Sequence, residues 1–226
     1  MRCIPIIPSY NPDETLLKVI EELFEYNYEH IIIVDDGSEN KEIFNQIKKD
    51  KKCHIITHDK NMGKGCALKT GIKYYQEHFM DKYKGVVTLD CDGQHSINDI
   101  LRVSSEMLIS HNFVLGSRNF ESDKVPKLNK FGNKLSSFVF YHLYGTYLRD
   151  TQSGLRAFTN EVVPMMLEIP GTGFEYEMNV LVTMVKNKVK SEQLPTRTVY
   201  LEARHSNYKP IIDSIRISRA MLKKRR

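Results

Sequence analysis

Short apolar runs alternate with amphipathic stretches along the first half of the chain, and this alternation sets the expected fold. The apolar runs favour strands, and the predicted strands are residues 3–7, 31–34, 54–57, 86–89 and 113–116. The stretches between them have the helical period, and the predicted helices are residues 12–26, 42–49, 64–78 and 97–109. This order predicts an α/β fold with a doubly wound, mostly parallel sheet flanked by helices. Ligands of such sheets bind at the carboxyl ends of the strands.

The second half of the chain has a different pattern, with an aromatic-rich helix and fewer apolar runs. Its predicted helices are residues 131–144, 161–168 and 175–187, and residues 198–202 form a late predicted strand. Residues 121–127 are typical of a loop, residues 150–154 of a turn, and residues 210–226 of a basic, amphipathic C-terminal helix. We expect core packing to explain most apolar positions of helix 131–144. Since no repeat or flexible linker interrupts the chain, we expect one domain over residues 1–226.

The composition fits a protein with one well-buried domain. The chain has 226 residues, of which 41% are hydrophobic and 27% charged. No apolar run approaches the roughly 20 residues of a membrane-spanning helix, and the N-terminus is too short and strand-like for a signal peptide, so we expect a cytosolic protein. The cysteines have no metal-ligand spacing, which favours reduced thiols. The net charge of +5, with Lys223 to Arg226 closing the chain, favours anionic partners.

Two aspartates and a glutamine follow the predicted strand 86–89. Asp90 and Asp92 are alternate residues, so their side chains can point the same way and share one task. A hard cation such as Mg²⁺ or Mn²⁺ prefers oxygen ligands and keeps positions open for substrate phosphates, which these carboxylates and the Gln94 amide oxygen suit. The pattern therefore predicts a site for a metal ion and a diphosphate. The alternative is a turn that merely ends the strand.

Two further motifs fall at predicted strand ends. Asp35 and Asp36 come after strand 31–34, where a carboxylate can bind a base N–H or ribose hydroxyls, or can simply cap a turn. Gly63 and Lys64 open a helix after strand 54–57, where backbone N–H groups and one lysine suit an anion. Cys66 stands where a P-loop has Ser or Thr, and no Gly-x-Gly-x-x-Gly follows the first strand. A dinucleotide-binding domain is therefore disfavoured.

Taken in order, these motifs resemble those of the family 2 glycosyltransferases of GT-A fold. The first-half motifs are Ile7-Pro8-Ser9-Tyr10-Asn11-Pro12, Val34-Asp35-Asp36-Gly37-Ser38, Asn61-Met62-Gly63-Lys64-Gly65 and Asp90-Cys91-Asp92-Gly93-Gln94-His95. The second half is similar to the polyprenyl-phosphate branch, the dolichyl-phosphate mannosyltransferase-like enzymes, through Gly116-Ser117-Arg118, Phe131-Gly132-Asn133-Lys134, Asp150-Thr151-Gln152-Ser153-Gly154-Leu155-Arg156, Phe174-Glu175-Tyr176-Glu177-Met178 and Arg204-His205-Ser206. The resemblance spans nearly the whole chain.

The resemblance implies a role for each matching position. Residues 1–117 would bind the nucleotide sugar and residues 118–226 the acceptor. Three residues would line the nucleoside pocket, namely Pro8, Tyr10 and Asp36. Asp90 would lie beside the ribose and the metal, while Asp92 and Gln94 would coordinate Mg²⁺ or Mn²⁺. Four residues would surround the donor diphosphate and the acceptor phosphate, namely Arg118, Lys134, Ser137 and Arg204.

The implied reaction is an inverting, metal-dependent transfer from UDP-glucose, UDP-GlcNAc or GDP-mannose to a polyprenyl phosphate, peripherally at the cytosolic face of the membrane. A small membrane-protein partner or a homo-oligomer could provide the anchor, and no nucleic acid is expected. Helix 131–144 could alternatively cradle a prenyl chain or lie at the membrane interface. A second enzymatic interpretation is transfer to a saccharide hydroxyl in surface-polysaccharide assembly, with Asp150, Glu175 or Glu177 as the base. Asp150 and Arg156 could instead form a structural ion pair. A catalytically silent adaptor is the non-enzyme alternative.

Overall fold

The computed structural model of the protein describes residues 2–109, 112–118, 127–197 and 210–223. Its strands are β1 Ile4–Ser9, β2 Ile31–Asp35, β3 Cys53–Thr57, β4 Gly85–Thr88, β5 Phe113–Arg118, β6 Arg156–Thr159 and β7 Ser191–Thr196. Its helices are α1 Thr15–Glu25, α2 Glu42–Ile47, α3 Lys64–His78, α4 Ile97–Ile109, α5 Lys127–Tyr144, α6 Val163–Glu168, α7 Glu175–Lys186 and α8 Pro210–Lys223. The elements of the first half match the predicted ones within a few residues.

The strands form one sheet in the order β3-β2-β1-β4-β6-β5-β7, which joins strands from both predicted halves. Each pairing among the described strands is parallel except the two made by β6, which runs antiparallel to β4 and β5. The predicted α/β, mostly parallel architecture is therefore confirmed. The carboxyl ends of β1, β2 and β4 lie at one edge of the sheet, so the segments that follow these strands meet there.

Alternation along the strands divides the core into two layers. In β1, Ile4 and Ile6 face one layer and Ile7 faces the other, because successive strand side chains point to opposite faces. Helices α3, α6 and α7 pack in the first layer, and α1, α2 and α4 pack in the second. Helices thus cover both faces of the sheet, which is the arrangement of a doubly wound fold.

Two strands escaped the sequence-based prediction. Strand β6 was missed because it has only four residues, begins with Arg156 and follows the turn directly. Strand β7 was missed because Ser191–Thr196 is polar and includes Pro195, a composition tolerated at the sheet edge where it lies. The predicted strand at residues 198–202 and most of the predicted loop 121–127 lie outside the described residues.

The expectation of core packing holds for part of α5 only, since Phe140 lies in the core and Val139, Leu143 and Tyr144 pack against it. Phe131, Leu135, Phe138 and Tyr141 are 49–65% exposed, whereas Phe140 is fully buried. The inward face also includes the buried polar residues Asn133 and Ser137, at helical spacing with Phe140, and the exposed aromatic residues lie on the opposite side. We call Phe131, Leu135, Phe138 and Tyr141 the aromatic face. Within the described ranges, every helix is too short or too polar to cross a membrane.

Candidate active site

The turn that follows β4 carries the predicted metal ligands at the carboxyl edge of the sheet. Gly93 adopts a φ of 72°, which lets the chain reverse after Asp92. The Gln94 backbone N–H donates to Asp92 Oδ1 at 3.1 Å, and the Gln94 side chain is exposed. A Cβ at Gly154 would lie 2.5 Å from Asp90 Oδ2, so the turn 150–154 packs directly against the first aspartate. The structure thus brings two sequence motifs together around Asp90.

Lys64 lies between two carboxylates. Its Nζ is 2.7 Å from Asp90 Oδ1 and 3.0 Å from Glu177 Oε2 on α7, and its side chain is only 16% exposed. Burial opposes the charge on this lysine, but Asp90 and Glu177 together raise the pKa of Lys64 above its usual range. The sequence predicted an anion-binding role for Lys64 and Gly63. In the structure Lys64 pairs with two side chains of the protein itself, and a role in binding a substrate anion stays a prediction.

The environments of Asp90 and Asp92 separate their pKa values. Burial alone would raise the pKa of Asp90, but the charge of Lys64, together with His95, holds it well below the usual range. Burial and the charge of Asp90 both raise the pKa of Asp92. Bringing a divalent cation to the turn would relieve this repulsion, and the oxygen donors suit Mg²⁺ or Mn²⁺. The described residues contain no cluster of three or more His, Cys, Asp or Glu side chains able to hold a metal ion.

The first aspartate pair, after β2, is bound differently. Asp36 is buried, and its carboxylate accepts the backbone N–H groups of Met62 and Gly63 at 2.9 and 2.8 Å. His58 Nδ1 lies 2.7 Å from Asp36 Oδ1. Asp35 accepts the Ser38 N–H at 2.8 Å and pairs with the Lys41 ammonium. These contacts fasten the loop before α3 to the end of β2, and the nucleoside role of Asp36 stays a prediction.

The remaining predicted nucleoside residues lie at the end of β1. Pro8 is buried within the strand, in register with Val34 of β2, and Tyr10 is half-buried just beyond the strand end. The chain is fixed there by Asn11, whose N–H donates to Ser38 Oγ at 2.8 Å and whose Oδ1 accepts the Glu39 N–H at 2.9 Å. Tyr10 therefore borders the same edge as the two aspartate turns.

Arg118 forms a two-pronged ion pair with buried Asp150. Its Nε donates to Asp150 Oδ2 at 2.6 Å and its Nη2 donates to Oδ1 at 3.0 Å, and 24% of the arginine side chain remains exposed. The suggested pairing of Asp150 with Arg156 is wrong. Arg156 is buried and donates instead to the Ser153 carbonyl at 2.9 Å and to the Glu177 carbonyl at 2.6 Å. Asp150 therefore has the expected structural role, but the arginine that it holds is Arg118, which was predicted to bind phosphate.

Helix α5 contributes the other predicted phosphate ligands. Asn133 donates to the Arg149 carbonyl at 2.7 Å and Ser136 lies 2.8 Å from the Thr151 hydroxyl, so the helix is tied to the loop that holds Asp150. Lys134 is exposed, whereas Ser137 is buried and its hydroxyl has no hydrogen-bond partner among the described residues. An unsatisfied buried hydroxyl is uncommon, and a ligand oxygen could satisfy it. Arg204 lies outside the described residues.

Two contacts of the site were not foreseen. His58 was given no role, although its place directly after β3, at the ligand-binding edge, was a signal in the sequence. Glu177 was considered only as a base, because nothing in the spacing of Lys64 and Glu177 along the chain indicates that they meet. Their contact depends on how α3 and α7 pack.

The comparison with known proteins identifies the family. The family model described as Glycosyl transferase family 2 matches residues 6–163, which is more than half of the chain. The chain belongs to glycosyl transferase family 2. This family 2 glycosyltransferase is 35% identical over 217 residues to UDP-N-acetylglucosamine–dolichyl-phosphate N-acetylglucosaminyltransferase from Methanococcus voltae, covering 87% of this chain and 85% of that protein. The resemblance to the polyprenyl-phosphate branch is thereby confirmed.

Solved structures confirm the GT-A fold of this family 2 glycosyltransferase. Mannosyl-3-phosphoglycerate synthase from Rubrobacter xylanophilus superposes with a TM-score of 0.72 at 17% identity, covering 99% of this chain and 74% of that chain. Glucosyl-3-phosphoglycerate synthase from Mycobacterium tuberculosis, in complex with Mn²⁺ and uridine diphosphate, gives a TM-score of 0.68 at 15% identity, covering 98% and 79%. At these identities the likeness shows the shared fold.

Proposed function

We propose that this enzyme transfers a sugar from a nucleotide sugar to a polyprenyl phosphate, with inversion at the anomeric carbon and with Mg²⁺ or Mn²⁺ bound at the β4 turn. The name of the Methanococcus voltae relative specifies a dolichyl-phosphate acceptor and UDP-N-acetylglucosamine as donor. The Mycobacterium tuberculosis structure of the same fold contains Mn²⁺ with uridine diphosphate. Both similarities support the proposal. The contacts of the candidate bases in the structure itself support it as well.

The observation that carries the proposal is that each carboxylate considered as a general base is engaged. Asp150 is paired with Arg118, and Glu177 is paired with Lys64. Glu175 Oε1 accepts the backbone N–H groups of Thr172 and Gly173 at 2.9 and 3.1 Å, while its buried Oε2 has no hydrogen-bond partner among the described residues. Burial favours a higher pKa for Glu175, but these hydrogen bonds lower it. A saccharide hydroxyl acceptor needs a base of raised pKa, whereas a lipid phosphate is already anionic at neutral pH.

In the proposed reaction, a phosphate oxygen of the acceptor attacks the anomeric carbon from the face opposite the nucleoside diphosphate. The new carbon–oxygen bond forms as the bond to the diphosphate breaks, and the diphosphate leaves with the electron pair. Arg118, held rigid by Asp150, and Lys134 would orient the phosphates by charge-assisted hydrogen bonds. A divalent cation held by Asp90, Asp92 and Gln94 would supply electrostatic stabilisation of the leaving group.

For the sugar, we propose N-acetylglucosamine from UDP, on the strength of the Methanococcus voltae relative. The test is transfer of radiolabel from UDP-GlcNAc, UDP-glucose and GDP-mannose, each supplied separately, into an organic-extractable product with polyprenyl phosphate in vesicles. Label from UDP-GlcNAc in the lipid phase is the expected result. Label from another donor would correct the sugar alone. Transfer to free saccharides but none to lipid would favour the hydroxyl acceptor, and donor binding without turnover would favour the adaptor.

We further propose peripheral contact with the cytosolic membrane face through the aromatic face of α5. This helix contains three lysines and no aspartate or glutamate, so its charge matches an anionic lipid surface. Helix α8 packs beside it and exposes Arg216, Arg219 and Leu222, and residues 224–226 of the basic end lie outside the described residues. Co-sedimentation with anionic vesicles should weaken for Phe138→Ser and in high salt. Unchanged binding in both cases would remove this surface from the proposal.

A further inference from the structure

We propose that Lys64 and Glu177 are positioning residues, which hold the Asp90 carboxylate in the orientation that donor binding requires. The inference deepens the proposed function and rests on it, since it assigns Asp90 to the site of the metal and nucleotide. Neither residue is proposed to touch the substrate. Glu177 fixes Lys64, and Lys64 fixes Asp90.

The packing of α3 against the segment before α7 places Lys64 with little freedom. Gly63 has a φ of 95°, and a Cβ there would lie 2.5 Å from the Thr172 carbonyl oxygen. A Cβ at Gly65 would lie 2.6 Å from Tyr176 Cβ. The Cys66 N–H donates to the same Thr172 carbonyl at 3.0 Å. The glycines on both sides of Lys64 therefore permit a close approach of two backbone segments, which brings the lysine to the first turn of α7.

Glu177 is itself anchored, which makes it a fixed support for the lysine. It lies in the first turn of α7, its carbonyl accepts the Arg156 guanidinium at 2.6 Å, and its side chain is 9% exposed. The Lys64 ammonium also lies 5.5 Å from the ring centroid of Phe174. An ammonium that is shielded from water and held by one carboxylate can orient a second one, because screening by solvent is weak there.

These contacts fix the orientation of the Asp90 carboxylate. Oδ1 lies on the lysine, and Oδ2 lies 3.4 Å from His95 Nε2, beside Gly154. Without the ammonium, Asp90 would face the negative charges of Asp92 and Glu177 with a smaller opposing charge, and its side chain would turn away from both. Groups that orient the ligands of a metal ion typically change metal affinity or activity by about 10- to 100-fold when they are mutated.

The experiment compares Lys64→Met, Lys64→Arg and Glu177→Gln with the control Lys73→Met, a lysine of the same helix that forms an exposed pair with Glu77. The readout is Mn²⁺ affinity in the presence of UDP, measured by electron paramagnetic resonance, together with kcat and KM. We expect Lys64→Met and Glu177→Gln to bind Mn²⁺ about 10- to 100-fold more weakly. Lys64→Arg should recover part of the loss, and the KM for the lipid acceptor should stay near that of the wild type.

A double variant distinguishes a relay from two independent effects. If Glu177 acts through Lys64, the combined variant should lose little more than Lys64→Met alone. Wild-type Mn²⁺ affinity in folded Glu177→Gln would overturn the relay. This result is sufficient by itself, so the test remains valid even if Lys64→Met fails to fold. Weaker UDP binding by Lys64→Met in EDTA, with Glu177→Gln unchanged, would make Lys64 a direct phosphate ligand instead. Failure of the wild type to bind UDP with Mn²⁺ would overturn the proposed function as well.

Discussion

The turns after β2 and β4 contain the same residue types, yet their aspartates lie in different surroundings. Each turn has two aspartates followed by a glycine of positive φ, 71° at Gly37 and 72° at Gly93. After β2, Asp35 and Asp36 are buried and accept backbone N–H groups, with Lys41 and His58 alongside. After β4, Asp90 pairs with Lys64 and repels Asp92, and the pKa values of the two aspartates move in opposite directions.

The difference lies in how each turn compensates its negative charge. A carboxylate that accepts several N–H groups is stabilised by the protein alone, and it fastens the segments that donate to it. After β4 a lysine stabilises Asp90, whereas Asp92 is crowded by Asp90 and would gain from a bound cation, as in many ion-binding sites. The contacts of the β2 turn are those of a brace, and the β4 turn is the one that we propose as the ion site, so substitutions should separate the two roles.

The largest expected effect is loss of transfer in Asp92→Asn. Removing this charge should lower kcat/KM by about 10²- to 10³-fold, on the scale seen when one preorganised electrostatic group is removed. Because burial and Asp90 raise the pKa of Asp92, its neutralisation should not lower the free energy of unfolding at pH 7. Transfer assays check the expected loss of kcat/KM, and urea denaturation of the metal-free protein checks the free energy of unfolding. Full activity of Asp92→Asn in EDTA would remove the metal from the mechanism.

The reverse outcome is expected for Asp36→Ala. This substitution leaves the N–H groups of Met62 and Gly63 without their acceptor, and it should cost about 2–3 kcal/mol in the free energy of unfolding. Urea denaturation measures the change, and Asp81→Ala, at an exposed position, is the control. A stability equal to that of the wild type, combined with a large rise in the KM for the nucleotide sugar, would make Asp36 a nucleoside ligand rather than a brace.

The sequence could locate both turns but could not distinguish them. The apolar runs give β1 to β5, and the order of these strands places each aspartate pair at the ligand-binding edge. The two aspartate pairs differ in the residues that contact them or their lysine. Among these, His58 and Glu177 are distant along the chain, and no local sequence pattern indicates their contacts. The same limit explains Arg156: a pair with Asp150 is a common brace of Ser-Gly turns, but its guanidinium donates instead to the Glu177 carbonyl. Strand β6 lacked a periodic signal because four residues are too few to show one.

A smaller effect on Mn²⁺ affinity is expected when a methyl group is added beside Asp90 without a change of charge. In Gly154→Ala the new Cβ would lie 2.5 Å from Asp90 Oδ2, so the carboxylate must move against its contact with Lys64. Mn²⁺ affinity in the presence of UDP should fall about tenfold, the lower end of the range for groups that orient metal ligands. Gly132→Ala is the control, since nothing lies within 4 Å of a Cβ at that helical position. Equal affinities in the two variants would show that the orientation of Asp90 is not limiting.

The smallest expected effect concerns the dependence of stability on pH. It tests whether the loss of stability in acid arises at His54 rather than at the aspartate turns. His54 of β3 lies 3.1 Å from His30 Nδ1 and near Tyr74 and His78, and burial followed by the charges of the two histidines lowers its pKa. A lowered pKa in the folded state means that the unfolded chain binds the proton first, so stability should fall as pH drops below about 6.5 and level off below the folded-state pKa. In His54→Gln the free energy of unfolding should change less between pH 7.5 and pH 5.5 than in the wild type. An unchanged slope in that variant would move the acid sensitivity to other groups, with the aspartate turns as the next to test.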